Sequence, residues 1–317
     1  MLRRTVRRQA LLLAFTLAAI AATAPAADRA TEYFARGNAL AAQHDWAGAV
    51  TAYREALRLR PAFAEAHYNL ANALTARHDR AGAIAEYRLA LKLKPDYVPA
   101  LNNLGLALRD SGDLTGAAVE LREAIRLQPD YPEAHFNLAN VMADQGDPAA
   151  AITEYRLALV LNPADAAAAA NLGYALAKSG DPGNATLELR RAVKLKPDDA
   201  EAHLNLGNAL ADVGDFEGSM AEYRLALLLA PDDAAARDDL GLAFEENGDL
   251  TRAVAEYRAA IRSQPGDAAA HHNLGRVLEM TGALGEAAEQ YRSAAGLDPG
   301  NTRYADDATR LAGAVKD

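Results

Sequence analysis

The chain has no cysteine among its 317 residues. It therefore carries no disulfide framework, no thiol nucleophile and no cysteine-linked lipid anchor. Aromatic residues are scarce, at 6%, with a single tryptophan. No Gly-rich phosphate loop, nucleophile elbow or zinc-ligand string is present. The sequence thus points to no catalytic residue, no metal and no cofactor, and reads as non-enzymatic. Positive charge is also in short supply: 33 Lys and Arg against 43 Asp and Glu give a formal charge of −10. Setting aside the four arginines of residues 1–26, which contain no acid, leaves −14. A body that acidic repels phosphate backbones, which argues against a nucleic-acid partner.

The arginines that do cluster are at the start. Met1 to Arg8 forms a basic segment, Ala10 to Ala22 an apolar one, and Ala24-Pro25-Ala26 a small-x-small processing site. The apolar stretch between Arg8 and Pro25 falls short of the ~20 residues that cross a bilayer. Residues 1–26 are therefore predicted to be a cleaved export signal, followed by a short lead-in at 27–29. The mature chain would be periplasmic or otherwise exported, with no membrane insertion after cleavage. An uncleaved inner-membrane anchor is the alternative reading.

Proline is spaced regularly. Pro61, Pro95, Pro129, Pro163, Pro197, Pro231, Pro265 and Pro299 recur at one fixed interval, which marks a repeat architecture. With that proline as position 32, eight repeats span 30–63, 64–97, 98–131, 132–165, 166–199, 200–233, 234–267 and 268–301. Position 8 is small throughout, as in Gly37, Ala71 and Gly105; position 24 is Tyr or Leu, as in Tyr53, Tyr87 and Leu121. Leu101, Leu104 and Leu108 follow helical spacing before Ser111-Gly112-Asp113 breaks the helix, and Ala117, Leu121, Ala124 and Ile125 line a second helix that Pro129 stops. Turns are predicted near His44, His78, Gly112, Gly146, Gly180, Gly214, Gly248 and Gly282. Neither helix can bury its apolar face alone, so neighbouring repeats must stack. A last helix over 302–317, with Tyr304, Ala308, Leu311 and Val315 on one stripe and Arg303, Asp306, Asp307 and Arg310 turned away, is predicted to cap the stack.

These positions over Ala30–Asn301 resemble the tetratricopeptide-repeat family. The resemblance implies an all-α, right-handed α-solenoid of helix-turn-helix repeats, and a protein that binds other proteins. It also implies that the first helix of each repeat lines a groove, with positions 2, 5, 6, 9, 12 and 13 facing it. On those positions lies a row of asparagines: Asn69, Asn103, Asn137, Asn171, Asn205 and Asn273 at position 6, and Asn72, Asn140 and Asn208 at position 9, preceded by Asn38. Asparagine is a mediocre helix former, and its amide offers donors and an acceptor together, which matches a peptide backbone. The row is similar to the arrays of the O-linked N-acetylglucosamine transferases, where asparagines grip an extended peptide. Inherited repeat consensus is the competing explanation.

Asp110, Asp144, Asp212 and Glu246 at position 13, with Lys178 between them, suggest a preference for basic segments, or solubility charge alone. Lys and Arg are missing from positions 2, 5 and 6, so capture of a C-terminal carboxylate is not expected. His67, His135, His203 and His271 occupy position 4 in alternate repeats. Packed helices lie ~8–10 Å apart, so these four cannot share one metal, and they read as half-buried packing residues. Taken together, the sequence predicts a non-catalytic scaffold that binds a protein or extended peptide, serving envelope assembly or secretion. The alternatives are a peptide-binding accessory to a glycosyltransferase or polysaccharide-export system, or an enzyme.

Overall fold

A computed structural model describes residues 26–314, and among them it contains seventeen helices and no strand. The repeats pair α1 (Ala26–Ala42) with α2 (Trp46–Leu59), α3 (Ala64–Ala76) with α4 (Arg80–Leu93), and α5 (Val98–Asp110) with α6 (Leu114–Leu127). The fourth repeat holds α7 (Pro132–Asp144) and α8 (Pro148–Leu161), the fifth α9 (Ala166–Lys178) and α10 (Pro182–Leu195), the sixth α11 (Ala200–Asp212) and α12 (Phe216–Leu229). Then come α13 (Ala234–Glu246) with α14 (Leu250–Ser263), α15 (Ala268–Met280) with α16 (Leu284–Leu297), and the closing α17 (Thr302–Ala314). The export signal predicted over 1–26 lies, apart from Ala26, outside the described residues, as does Val315. Residues 27–29 belong to α1 rather than to a separate lead-in, since nothing between Pro25 and Gly37 breaks a helix.

The helix boundaries follow from a few side chains. An aspartate precedes the second helix of most repeats and accepts a hydrogen bond from the backbone N–H three residues on, as Asp45 does from Gly48 at 2.9 Å and Asp215 from Gly218 at 2.9 Å. Ala283 stands in that place before α16 and leaves its helix uncapped. Each turn between the two helices needs one residue with positive φ. Gly112, Gly146, Gly180, Gly214, Gly248 and Gly282 supply it in six repeats, and His44 (φ 59) and His78 (φ 62) in the first two. All eight lie where the sequence placed the turns.

The chain divides into two compact units, one ending at Asp147 and one beginning at Pro148, so the division falls inside the fourth repeat. Within each unit, every helix packs on the next in sequence. In the first, Leu101, Ala124 and Ala134 form a buried cluster with Leu91, Val98, Ile125, Leu127 and Tyr131, drawn from three successive repeats. In the second, a cluster extends from Met220 and Tyr223 through Leu240, Phe244 and Tyr257 to Leu278 and Tyr291. It ends on Ala308 and Leu311 of α17, which cover the last repeat. Asp307 and Arg310 of α17, expected to face water, instead reach back to α15: Asp307 takes a 3.0 Å contact from His272, and Arg310 clasps both oxygens of Glu279 at 2.6 and 2.9 Å.

The tightest packing sits between positions 8 and 24 of one repeat. A Cβ added to Gly37 would fall 2.5 Å from the Tyr53 ring, and one on Gly105 would fall 2.6 Å from Leu121. The small residue lets the second helix press a large side chain onto the first, and Tyr53, Leu121, Leu189 and Tyr257 are at most 2% exposed as a result.

The two histidine turns offer a clean test. A left-handed residue with a Cβ costs roughly 1–2 kcal/mol, part of which glycine's larger unfolded-state entropy would cancel. His78→Gly is expected to stabilise the chain by about 0.5–1 kcal/mol, measured by urea unfolding. An unchanged or lower midpoint would show that the turn is not strained.

Candidate functional site

The asparagine row lies on the first helices, and the structure shows what each amide touches. In the first unit the side chains form junction locks between neighbouring repeats. Asn38 Oδ1 accepts from the Tyr53 hydroxyl at 2.8 Å and from Asn69 Nδ2 of the next repeat at 2.8 Å. One repeat on, Asn72 Oδ1 accepts from the Tyr87 hydroxyl at 2.6 Å and from Asn103 Nδ2 at 3.1 Å. The pattern is the same: position 9 and position 24 of one repeat meet position 6 of the next. A buried tyrosine hydroxyl needs a partner, and the asparagine oxygen supplies it while leaving its second lone pair for the neighbouring helix.

Where position 24 is leucine, the lock changes. Leu121 has no hydroxyl and Leu106 stands at position 9, so Asn137 turns instead to Asn102 Oδ1 at 2.8 Å, and Asn102 donates to Asn103 Oδ1 at 3.1 Å. Asn137 and Asn140 are buried, Asn171 is half-buried, and neither Asn140 nor Asn171 is free.

In the second unit Asn208 Oδ1 accepts from the Tyr223 hydroxyl at 2.6 Å. The next repeat has Asp239 at position 6, next to Asp238, and Asn273 Nδ2 donates to Asp238 Oδ2 at 2.9 Å. Towards the C-terminus the lock is rebuilt from charges. Glu245 accepts from the Tyr257 hydroxyl at 3.1 Å and from Arg276 of the next repeat at 2.9 Å. Glu279 accepts from Tyr291 at 2.9 Å and from Arg310 of α17. Sequence reasoning missed the tyrosine hydroxyls and these glutamate–arginine pairs. The signal was there: Glu245 and Glu279 at position 12 face Arg276 and Arg310, each 31 residues downstream.

The position-4 histidines are wall ties. His67 Nδ1 lies 2.6 Å from Glu86 and its Nε2 lies 3.0 Å from the carbonyl of Pro61, the last turn of the preceding repeat. His203 repeats this with Glu222 and Pro197, and His271 with Gln290 and Pro265. Arg237 takes the same place in the seventh repeat, bonding the Pro231 carbonyl at 2.8 Å and lying 3.6 Å from Glu256. Burial opposes charge on His67, but the Glu86 and Pro61 oxygens outweigh it and raise its pKa. Among the described residues no three His, Asp or Glu side chains converge in a way that could hold a metal.

Two hollows open between first helices. One, of about 340 Å³, is lined by Asn38, Ala41, Trp46, Tyr53, Asn69, Asn72 and Ala73. The other, of about 290 Å³, is lined by Tyr174, Ala177, Lys178, Leu189, Asn205, Asn208 and Asp212. The acidic side chains of position 13 behave differently from one another: Asp144 is bonded by Arg109, whereas Asp212 has no bonded partner among the described residues.

The carboxyls of Asp238 and Asp239 are perturbed. Burial, aided by Asp267 and Asp239, pushes Asp238 up to about 7; burial and Asp233 push Asp239 up to about 6. Asn273 and Arg276 pull Asp238 down, and Asn208 pulls Asp239 down, without reversing the shift. Asp238 Oδ1 is buried with no partner. A carboxyl that holds its proton more tightly when folded favours the fold below its unfolded pKa, and that contribution is lost as pH rises through the folded value. Asp239→Asn restores the residue found in the other junctions. It is expected to stabilise the chain by on the order of 2 kcal/mol at pH 8 and by little at pH 4, read from denaturant midpoints at the two pH values. An equal gain at both would show that titration is not the cause.

Family models described as tetratricopeptide repeats match residues 37–76, 64–97, 105–146, 132–165, 170–236 and 239–302. No curated protein sequence matches the chain. Among solved structures, the chain is similar to the APC/C Cut9–Hcn1 assembly at 16% identity and a TM-score of 0.57, covering 88% of this chain and 55% of that one. The chain thus spans only about half of that relative's length. It is similar to YrrB, described as a TPR protein with an unusual peptide-binding site, at 22% identity and a TM-score of 0.55, covering 59% of this chain and 96% of that one. The match to PilF of Pseudomonas aeruginosa has 22% identity and a TM-score of 0.56, covering 66% of this chain and 95% of that one.

Proposed function

The chain belongs to the tetratricopeptide-repeat family, and on that premise we propose that it is a non-catalytic scaffold that binds a protein or extended peptide on the face of its first helices. The observation that carries this reading is the pair of hollows between neighbouring first helices, each bordered by asparagine amides and an aromatic ring. Such amides offer donor and acceptor together, as a peptide unit does. YrrB, of the same fold, is described as having a peptide-binding site, which lends the reading support by analogy. Exposed Asp110 and Asp212 on this face favour basic partners. The basic and apolar N-terminal segment before Ala27 supports a place on the export side of a cell envelope, in assembly or secretion. No described helix is long and apolar enough to cross a membrane.

Site-specific photo-crosslinking in whole cells tests both parts at once. A photoreactive residue at Asp110 or Asp212 is expected to yield protein adducts, whereas one at Leu228, exposed on a second helix, is expected to yield none. The adducts should come from the periplasmic fraction and carry a chain starting at Ala27. Adducts from Leu228 alone would move the binding surface to the second helices. Adducts carrying the uncleaved chain in the membrane would sink the export reading.

A further inference from the structure

Of the nine asparagines in the row at positions 6 and 9 from Asn69 to Asn273, Asn205 differs from the rest. Asn69, Asn72, Asn103, Asn137, Asn208 and Asn273 each bond a side chain of a neighbouring helix or repeat, and Asn140 and Asn171 are engaged as well. Asn205 is half-buried, yet no protein group bonds its amide among the described residues.

Three substitutions in the fifth repeat account for this. Leu189 at position 24 brings no hydroxyl, where Tyr53 and Tyr87 bring one. Tyr174 replaces the position-9 asparagine that would accept from position 6. Ala170 stands at position 5, where Asn102 serves Asn137. Each route that satisfies another asparagine in the row is closed at this junction. A polar group half-removed from water without a protein partner is disfavoured, and a ligand that bonds it removes the penalty.

The surroundings say what that ligand is. Asn205 lines the 290 Å³ hollow together with Tyr174, Lys178, Leu189 and Asp212. Tyr174 is 48% exposed, a large aromatic surface left open, and the Lys178 ammonium lies 5.5 Å from its ring centre. The free amide can donate to a carbonyl and accept from an N–H at once, as an extended peptide presents them. The exposed Tyr174 ring gives a side chain of that peptide an apolar wall. Charges of both signs stand beside it, so neither a polyanion nor a polycation fits the whole site.

Building on the scaffold reading above, we propose that the junction of the fifth and sixth repeats is the chain's principal peptide contact, where Asn205 bonds the backbone of an extended segment and Tyr174 packs against one large apolar side chain. The other asparagines hold the stack together. This assignment separates the row by role: Asn205 binds, and Asn69, Asn103 and their kind join repeats.

A phage-displayed random dodecapeptide library, selected on the full chain, supplies the probe. An enriched peptide is synthesised with a fluorophore and titrated against wild type and variants by polarisation. Asn205→Ala is expected to weaken it by about threefold to tenfold, the value of one hydrogen bond. Tyr174→Ala is expected to weaken it by about tenfold or more, as for a central aromatic contact. Leu228→Ser should leave it unchanged. Asn205→Ala should also keep the wild-type melting temperature, while Asn103→Ala lowers it. Enriched peptides that bind Asn205→Ala and Tyr174→Ala as tightly as wild type would overturn the site and leave the scaffold reading standing. No enrichment at all would overturn both. Oligosaccharides bound at Tyr174 in place of peptides would overturn the ligand class.

Discussion

The close approach of the two helices within each repeat governs the rest of the molecule. A glycine or alanine at position 8 admits a tyrosine or leucine from position 24, and that side chain is driven almost wholly out of water. Removing a leucine or tyrosine from water stabilises the contact by roughly 1.5–3 kcal/mol. For tyrosine the burial brings a further demand, since its hydroxyl must be bonded. The asparagines at position 9 answer that demand, and the amides at position 6 of the next repeat attach to the same oxygens. Packing within one repeat thereby dictates the polar chemistry between repeats.

The junctions meet that demand in different ways. Asparagine locks serve Tyr53 and Tyr87; glutamate–arginine pairs serve Tyr257 and Tyr291. Where leucine fills position 24 no hydroxyl has to be satisfied, and the neighbouring asparagine either finds a new partner, as Asn137 does, or is released, as Asn205 is. Acid at position 6 is the exception. Asp239 brings a half-buried carboxyl to a place that holds a neutral amide in six other repeats, and its raised pKa reflects its loss of water.

The repeat boundaries, the eight turns and the closing helix were legible in the sequence, because proline spacing, glycine in left-handed turns and apolar periodicity are local signals. His44 and His78 were legible as turns too, since they occupy the place that glycine holds in the other repeats. Side-chain partnerships were less so. The bond from Asn69 to Asn38 links residues 31 apart, and that from Asn137 to Asn102 links residues 35 apart. Which of the two spacings is used depends on what stands at position 9 of the preceding repeat: Asn38 and Asn72 accept there, whereas Leu106 and Leu242 cannot, and the bond moves to position 5. For the same reason the row looked uniform: Asn205 and Asn103 share a position and a local string, and only Leu189, Tyr174 and Ala170 distinguish their surroundings.

The central claim is that position 24 and position 9 act as one unit in joining repeats. A double-mutant cycle on Tyr87→Phe and Asn72→Ala, with stability measured by urea unfolding, addresses it directly. Each change alone leaves the other group without its 2.6 Å partner, so the two together should cost less than their sum by about 0.5–1.5 kcal/mol. Additivity to within about 0.3 kcal/mol would contradict the account.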